Sequence, residues 1–104
     1  MKKNYKMKMA GHEFDLAYVR FGIHSEETCD YMAVLVCDGQ YIGEVENDGH
    51  GGATFFRAFN EFVEVAREVE AEVRKVVWLV CKDGTKIFHD FGTVTDEILY
   101  AKYA

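Results

Sequence analysis

At 104 residues the chain has the size of one domain, for which about 100 to 150 residues is usual, and residues 1–104 are read as a single unit. Hydrophobic residues make up 49% and aromatics 14%, which excludes a disordered chain; no apolar run reaches the roughly 18 residues of a membrane helix, and the lysine-rich start lacks the apolar stretch of a secretory signal. The formal net charge of −6 disfavours direct DNA binding, so the expectation is a globular cytoplasmic protein with no membrane partner.

In chain order, Tyr5, Met7 and Met9 alternate with Lys6 and Lys8, a period-two pattern suited to an edge strand protected by its lysines. Ala10-Gly11-His12 breaks the pattern and Phe14, Leu16 and Tyr18 resume it, so residues 4 to 23 predict a hairpin. "SEETCD" then reads as a polar loop, with room for a helical turn capped by Ser25. Two β-rich runs flank Asp38-Gly39, a pair whose residues tolerate positive φ and close a tight hairpin. Met32 to Cys37 is apolar on both faces and belongs in the middle of a sheet. Gly43 interrupts the return strand and signals a bulge or the close approach of another backbone or a ligand.

After Asn47-Asp48-Gly49-His50-Gly51-Gly52 the period changes. Phe55, Phe59, Phe62, Ala66, Val69 and Val73 recur at steps of four and three, which predicts a long amphipathic helix from Thr54 to about Lys75 with these side chains in the core. Val76 to Lys82 and "KIFHDF" predict a second hairpin through Asp83-Gly84. Thr95 is placed to cap a short C-terminal helix with Asp96 and Glu97 in its first turn. The expected fold class is α+β: an antiparallel sheet of hairpins packed on one long amphipathic helix, with a short helix at the C-terminus.

Cys29, Cys37 and Cys81 are odd in number and lack CxxC spacing, so they read as free thiols of a reducing compartment with no metal or disulfide role. His12, His24, His50 and His89 show none of the local spacings of a metal site. No metal, cofactor or catalytic residue is assigned.

The NDGHGG stretch carries more glycine than a turn requires. Glycine-rich backbone running into a helix start exposes amide N–H groups toward the positive end of the helix dipole, and such a place favours an anion. Asn47, Gly49, His50, Gly51, Gly52 and Thr54 would meet a phosphate there, with Arg57 one turn into the helix and Tyr41 as an aromatic platform for a base. Asn-Asp-Gly is also ordinary turn chemistry, whereas His50 has no use in a plain corner.

The stretch "VLVCDGQYIGEVENDGHGG" resembles a pattern in small uncharacterised proteins of bacteriophages and mobile elements: a strand, an Asp-Gly turn at Asp38 and Gly39, a return strand with Gly43, then Asn47 to Gly52. The resemblance covers about a fifth of the chain and implies a bacterial host cell and a counter-defence setting. Together with the loop it gives the leading expectation: a non-enzymatic protein, possible as a homo-oligomer, that sequesters a nucleotide-like or phosphorylated molecule. Glu61, Glu64, Glu68, Glu70 and Glu72 support an alternative, an inhibitor that binds a host defence protein through its acidic helix. A metal-assisted hydrolase or phosphodiesterase built on the histidines is a third.

Overall fold

Period-two alternation governs the first half of the chain. In the computed structural model, which describes residues 5–22, 30–49 and 53–103, five strands follow one another: β1 (Met7–Met9), β2 (His12–Phe21), β3 (Tyr31–Cys37), β4 (Gln40–Asn47) and β5 (Phe55–Ala58). They pair antiparallel in sequence order, so β3 is central as its two apolar faces require. "SEETCD" lies almost wholly outside the described residues.

The hairpin turns form as the sequence expects. Ala10 and Gly11 (φ 54° and 80°) close β1 on β2, and Asp38 and Gly39 (φ 51° and 82°) close β3 on β4. Two successive left-handed residues match the right-handed twist of the flanking strands. At Gly43 both readings of the glycine hold. The β3–β4 register shifts beside it, with Leu35 opposite Gly43 and Val36 opposite Tyr41, and Gly43 also faces Ala58 of β5.

The long helix is corrected. Phe55–Ala58 is a strand paired to β4 (Val45 with Phe56, Glu46 with Phe55), and helix begins only with a 3-10 turn at Asn60–Phe62 that leads into α1 (Val63–Val73). The four-then-three spacing of Phe55, Phe59 and Phe62 imitates a helical face, but the edge of β4 offers a ladder that satisfies the backbone of 55–58. Phe55 is accordingly 74% exposed, and its neighbour Phe56 takes the core role, its ring 4.7 Å from that of Phe91. Within α1 the expected stripe of Ala66, Val69 and Val73 is buried.

A second hairpin, β6 (Val77–Val80) with β7 (Lys86–Phe88), forms its own two-stranded sheet. The last element, α2 (Phe91–Tyr103), is longer than α1. Its start is set by Asp90 and Thr93, not by Thr95: the Thr93 amide donates to Asp90 Oδ1 at 2.8 Å and the Asp90 amide donates to Thr93 Oγ1 at 2.9 Å, a reciprocal cap. Thr95 is buried in the helix and its hydroxyl donates to the Phe91 carbonyl at 2.7 Å. The Phe91 amide donates to Glu70 Oε2 at 3.0 Å, which ties the two helices.

One core joins these parts. Phe14, Leu16, Ala33, Leu35 and Val45 of the sheet meet Ala66, Val69 and Val73 of α1 and Phe91, Val94 and Ile98 of α2. Both helices therefore cover the same side of the sheet, and the alternate residues of β3, Met32, Val34 and Val36, face away from that core, half-buried. Among the described residues no helix is long and apolar enough to cross a membrane.

Candidate functional site: the β4–β5 loop and the open sheet face

The NDGHGG stretch connects β4 to β5, so it leads into a strand and not into a helix N-terminus. His50, Gly51 and Gly52 lie outside the described residues. Asn47 and Thr54, at the two ends, are bonded to each other and to α2. Asn47 Nδ2 donates to Thr54 Oγ1 at 3.1 Å, and Asn47 Oδ1 accepts the Gly49 amide at 2.8 Å. The Thr54 and Tyr31 hydroxyls lie 2.8 Å apart and both donate to Asp96 Oδ1, at 2.7 and 2.6 Å. Burial, together with the carboxylate that accepts its proton, pushes the Tyr31 hydroxyl far above the usual tyrosine range.

This network uses polar atoms of Asn47, Gly49 and Thr54 that the sequence offers to a phosphate. Asn47 and Thr54 clamp the feet of the loop, and the clamp is acidic: Asp96 belongs to it, and a small cleft of about 210 Å³ beside it is lined by Thr54, Trp78, Asp90, Gly92 and Asp96. Two carboxylates with no cation in the lining disfavour an anion there. The core-facing side of the loop is thus a fastening.

The other side of the sheet differs. Among the described residues neither helix covers it, and a groove of about 230 Å³ runs beside the β4–β5 ladder, lined by Met32, Glu44, Glu46, Phe55, Phe56 and Arg57. A second depression of about 330 Å³ shares Met32 and Glu44 and continues toward Tyr18, Arg20 and Val34. Arg57 reaches Glu44 at 3.0 Å across the strands. Arg20 has no carboxylate within ion-pair distance among the described residues; its guanidinium lies 4.0 Å from Met32 Sδ.

Of the sequence-predicted residues, Arg57 is therefore brought to the groove, whereas Asn47, Gly49 and Thr54 are at the loop's feet. Tyr41 is on the same open face, its ring 5.8 Å from that of Tyr18. It is the second residue of β4 while Asn47 ends the strand, so about 20 Å of strand separates Tyr41 from the loop. The residue that sequence reasoning misplaced is Phe55, which directly follows the loop and is the aromatic nearest to it on the open face. Its signal was the short alternation of Phe55 and Arg57 against Phe56 and Ala58, hidden by the stronger helical spacing around it.

The His89-Asp90 pair serves the fold. His89 is buried, with Nδ1 2.9 Å from Thr93 Oγ1 and Nε2 3.9 Å from Glu97, and Asp90 is the helix cap. On α1, Glu64, Glu70 and Glu72 lie within 4 Å of Arg67, Arg74 and Lys75 of the same segment, so much of the acidic run is paired locally. No protein-family model, curated protein or solved structure matches the chain.

Proposed function

We propose that the chain is a non-enzymatic binding protein that takes a nucleotide-like ligand on the open face of its sheet, in the groove between the β4–β5 loop and Arg57. The observation that carries this reading is Phe55: a phenylalanine three-quarters exposed beside a glycine-rich loop and above a groove is a stacking platform, and base stacking on an exposed ring contributes about 1–3 kcal/mol. Arg57 supplies the cation for a phosphate, in competition with Glu44. Glu46 on the groove wall suits the amino edge of a base or a ribose hydroxyl, and His50, Gly51 and Gly52, outside the described residues, are the loop residues proposed to meet the phosphate. Among the described residues the groove lining contains no thiol, hydroxyl or imidazole, which favours sequestration over chemistry and accords with a phage counter-defence role.

The test is a thermal-shift screen of the protein against linear and cyclic nucleotides. A nucleotide that raises the melting temperature in wild type, with the rise abolished in Phe55→Ala and reduced in Arg57→Ala and His50→Ala, is the expected result. No stabilising nucleotide, or an equal rise in Phe55→Ala, overturns it.

A second reading, capture of a basic surface on a host defence protein, is favoured by the exposed Glu61, Glu64 and Glu68 of the 3-10 turn and α1. Charge complementarity of this kind weakens steeply with salt. A host-protein complex that survives 0.5 M salt, or that is indifferent to charge reversal at Glu61 and Glu68, counts against it.

A further inference from the structure

The β1–β2 and β3–β4 turns emerge side by side at one end of the sheet, because Phe14 pairs with Cys37. Three ligating groups converge there, His12 from the start of β2 and the adjacent Cys37 and Asp38 from the end of β3 and its turn. His12 Nδ1 lies 2.7 Å from Asp38 Oδ2, and Cys37 Sγ lies 3.8 Å from the same oxygen. All three ligand atoms fall within 4.8 Å of one another. We propose that His12, Cys37 and Asp38 form a binding site for a thiophilic divalent cation, of which Zn2+ is the chemical type.

Turn chemistry accounts for part of the arrangement and leaves the rest. Asp38 occupies the left-handed first position of its turn, its amide donates to the Glu13 carbonyl at 2.8 Å, and its Oδ1 accepts the Glu13 amide at 2.9 Å. That explains one carboxylate oxygen. The convergence of an imidazole and a thiol on the other is not needed to close a hairpin. With Oδ1 held by a backbone amide, Oδ2 is oriented as a carboxylate ligand is by its outer hydrogen bonds.

The distances suit a tetrahedral ion after small shifts. Zinc bonds of about 2.0–2.1 Å to N and O and about 2.3 Å to S place N and O about 3.3 Å apart and O and S about 3.6 Å apart. The His12–Asp38 hydrogen bond opens by about 0.6 Å, the Cys37–Asp38 contact closes by a few tenths, and His12 and Cys37, within 4.8 Å of each other, meet the same ion through side-chain torsions of His12 and Asp38 beside the two turns. Cys37 is buried while Asp38 is exposed, so the ion sits at the rim with sulfur beneath it. An open depression of about 310 Å³ lined by Lys8, Gly11, His12, Glu13 and Asp38 leaves the fourth position to water. On binding, the Cys37 S–H bond breaks, its electron pair forms the metal–sulfur bond and the proton leaves to solvent. The imidazole binds through Nδ1 with its remaining proton on Nε2.

Titration of the 104-residue protein with Co2+ as a spectroscopic probe tests this site without reference to the nucleotide groove. One equivalent is expected to bind, with a thiolate-to-cobalt charge-transfer band in the near ultraviolet and visible bands of tetrahedral intensity, both removed by Zn2+. Cys37→Ser loses the charge-transfer band, His12→Ala and Asp38→Asn weaken binding at least tenfold, and the Cys29→Ser/Cys81→Ser double variant keeps the full spectrum. His12→Ala changes a half-buried side chain at the first position of β2 and serves where Cys37→Ser is poorly folded by circular dichroism. Absence of a charge-transfer band in wild type overturns the proposal, as does a band that follows Cys29 or Cys81, or affinity unchanged in His12→Ala and Asp38→Asn.

Discussion

Gly43 lies against Phe56 so closely that a Cβ on Gly43 would stand 2.6 Å from the Phe56 ring and 2.4 Å from the Arg57 carbonyl oxygen. The glycine is what allows β5 to dock on β4 with an aromatic ring turned inward. Gly43→Ala puts a methyl against backbone that cannot yield without breaking the ladder. Overpacking of this kind costs about 1–3 kcal/mol, and here the upper end is expected. Urea denaturation gives the value; a variant within 0.5 kcal/mol of wild type would show that β5 is not held where the structure places it.

Phe55 and Phe56 are adjacent in sequence and opposite in environment, and this makes a paired test of the strand assignment. Phe55→Ala removes an exposed ring and is expected to change stability by no more than about 0.5 kcal/mol. Phe56→Ala removes the ring that meets Phe91 and is expected to cost about 3 kcal/mol, the low end for a buried phenylalanine because Phe56 is only partly buried. A helix through this segment, with Phe55 in the core, gives the reverse order.

The same pair shows where sequence reading works and where it stops. The Asp38-Gly39 turn was legible because positive φ at two successive positions leaves few choices of residue, and the α1 stripe was legible because Ala66, Val69 and Val73 repeat over a long enough window. Phe55–Ala58 was not: four residues hold only two periods of alternation, and what decides their conformation is the free edge of β4, a partner remote in space from any local pattern. Tyr31 and Asp96, 65 residues apart, likewise meet only once the sheet and α2 are assembled. His12 also needs the β2–β3 register before it becomes a neighbour of Cys37 and Asp38.

Tyr31→Phe removes the hydroxyl that joins the sheet to Asp96. Thr54 still donates to that carboxylate, so the cost is expected near 1 kcal/mol, the net value of one hydrogen bond. The alkaline limb is more telling. The folded state holds the Tyr31 proton well above its unfolded pKa of about 10, so this contribution is complete below about pH 10 and is lost as pH rises from there toward the folded value. Stability measured between pH 8 and 11 should fall more steeply in wild type than in Tyr31→Phe; parallel curves would mean that the hydroxyl is not held by Asp96.

Lys102 Nζ lies 2.7 Å from Asp15 Oδ1, with the lysine side chain 5% and the aspartate 27% exposed. The two partners are not equally replaceable. Asp15→Asn leaves an ammonium in a site from which water is nearly excluded, and a buried charge without its counterion costs about 3–5 kcal/mol; the remaining amide oxygen can still accept a hydrogen bond, so about 2–3 kcal/mol is expected. Lys102→Met leaves a carboxylate that water can reach and puts an apolar chain of similar length along α2, so it is expected to cost less than about 1 kcal/mol or to be neutral, the pattern found when a buried ion pair gives way to apolar packing. Urea midpoints of the two variants at equal slope decide it. Asp15→Asn must fall well below Lys102→Met; the opposite order would mean that the lysine reaches water and that the pair is an ordinary surface contact.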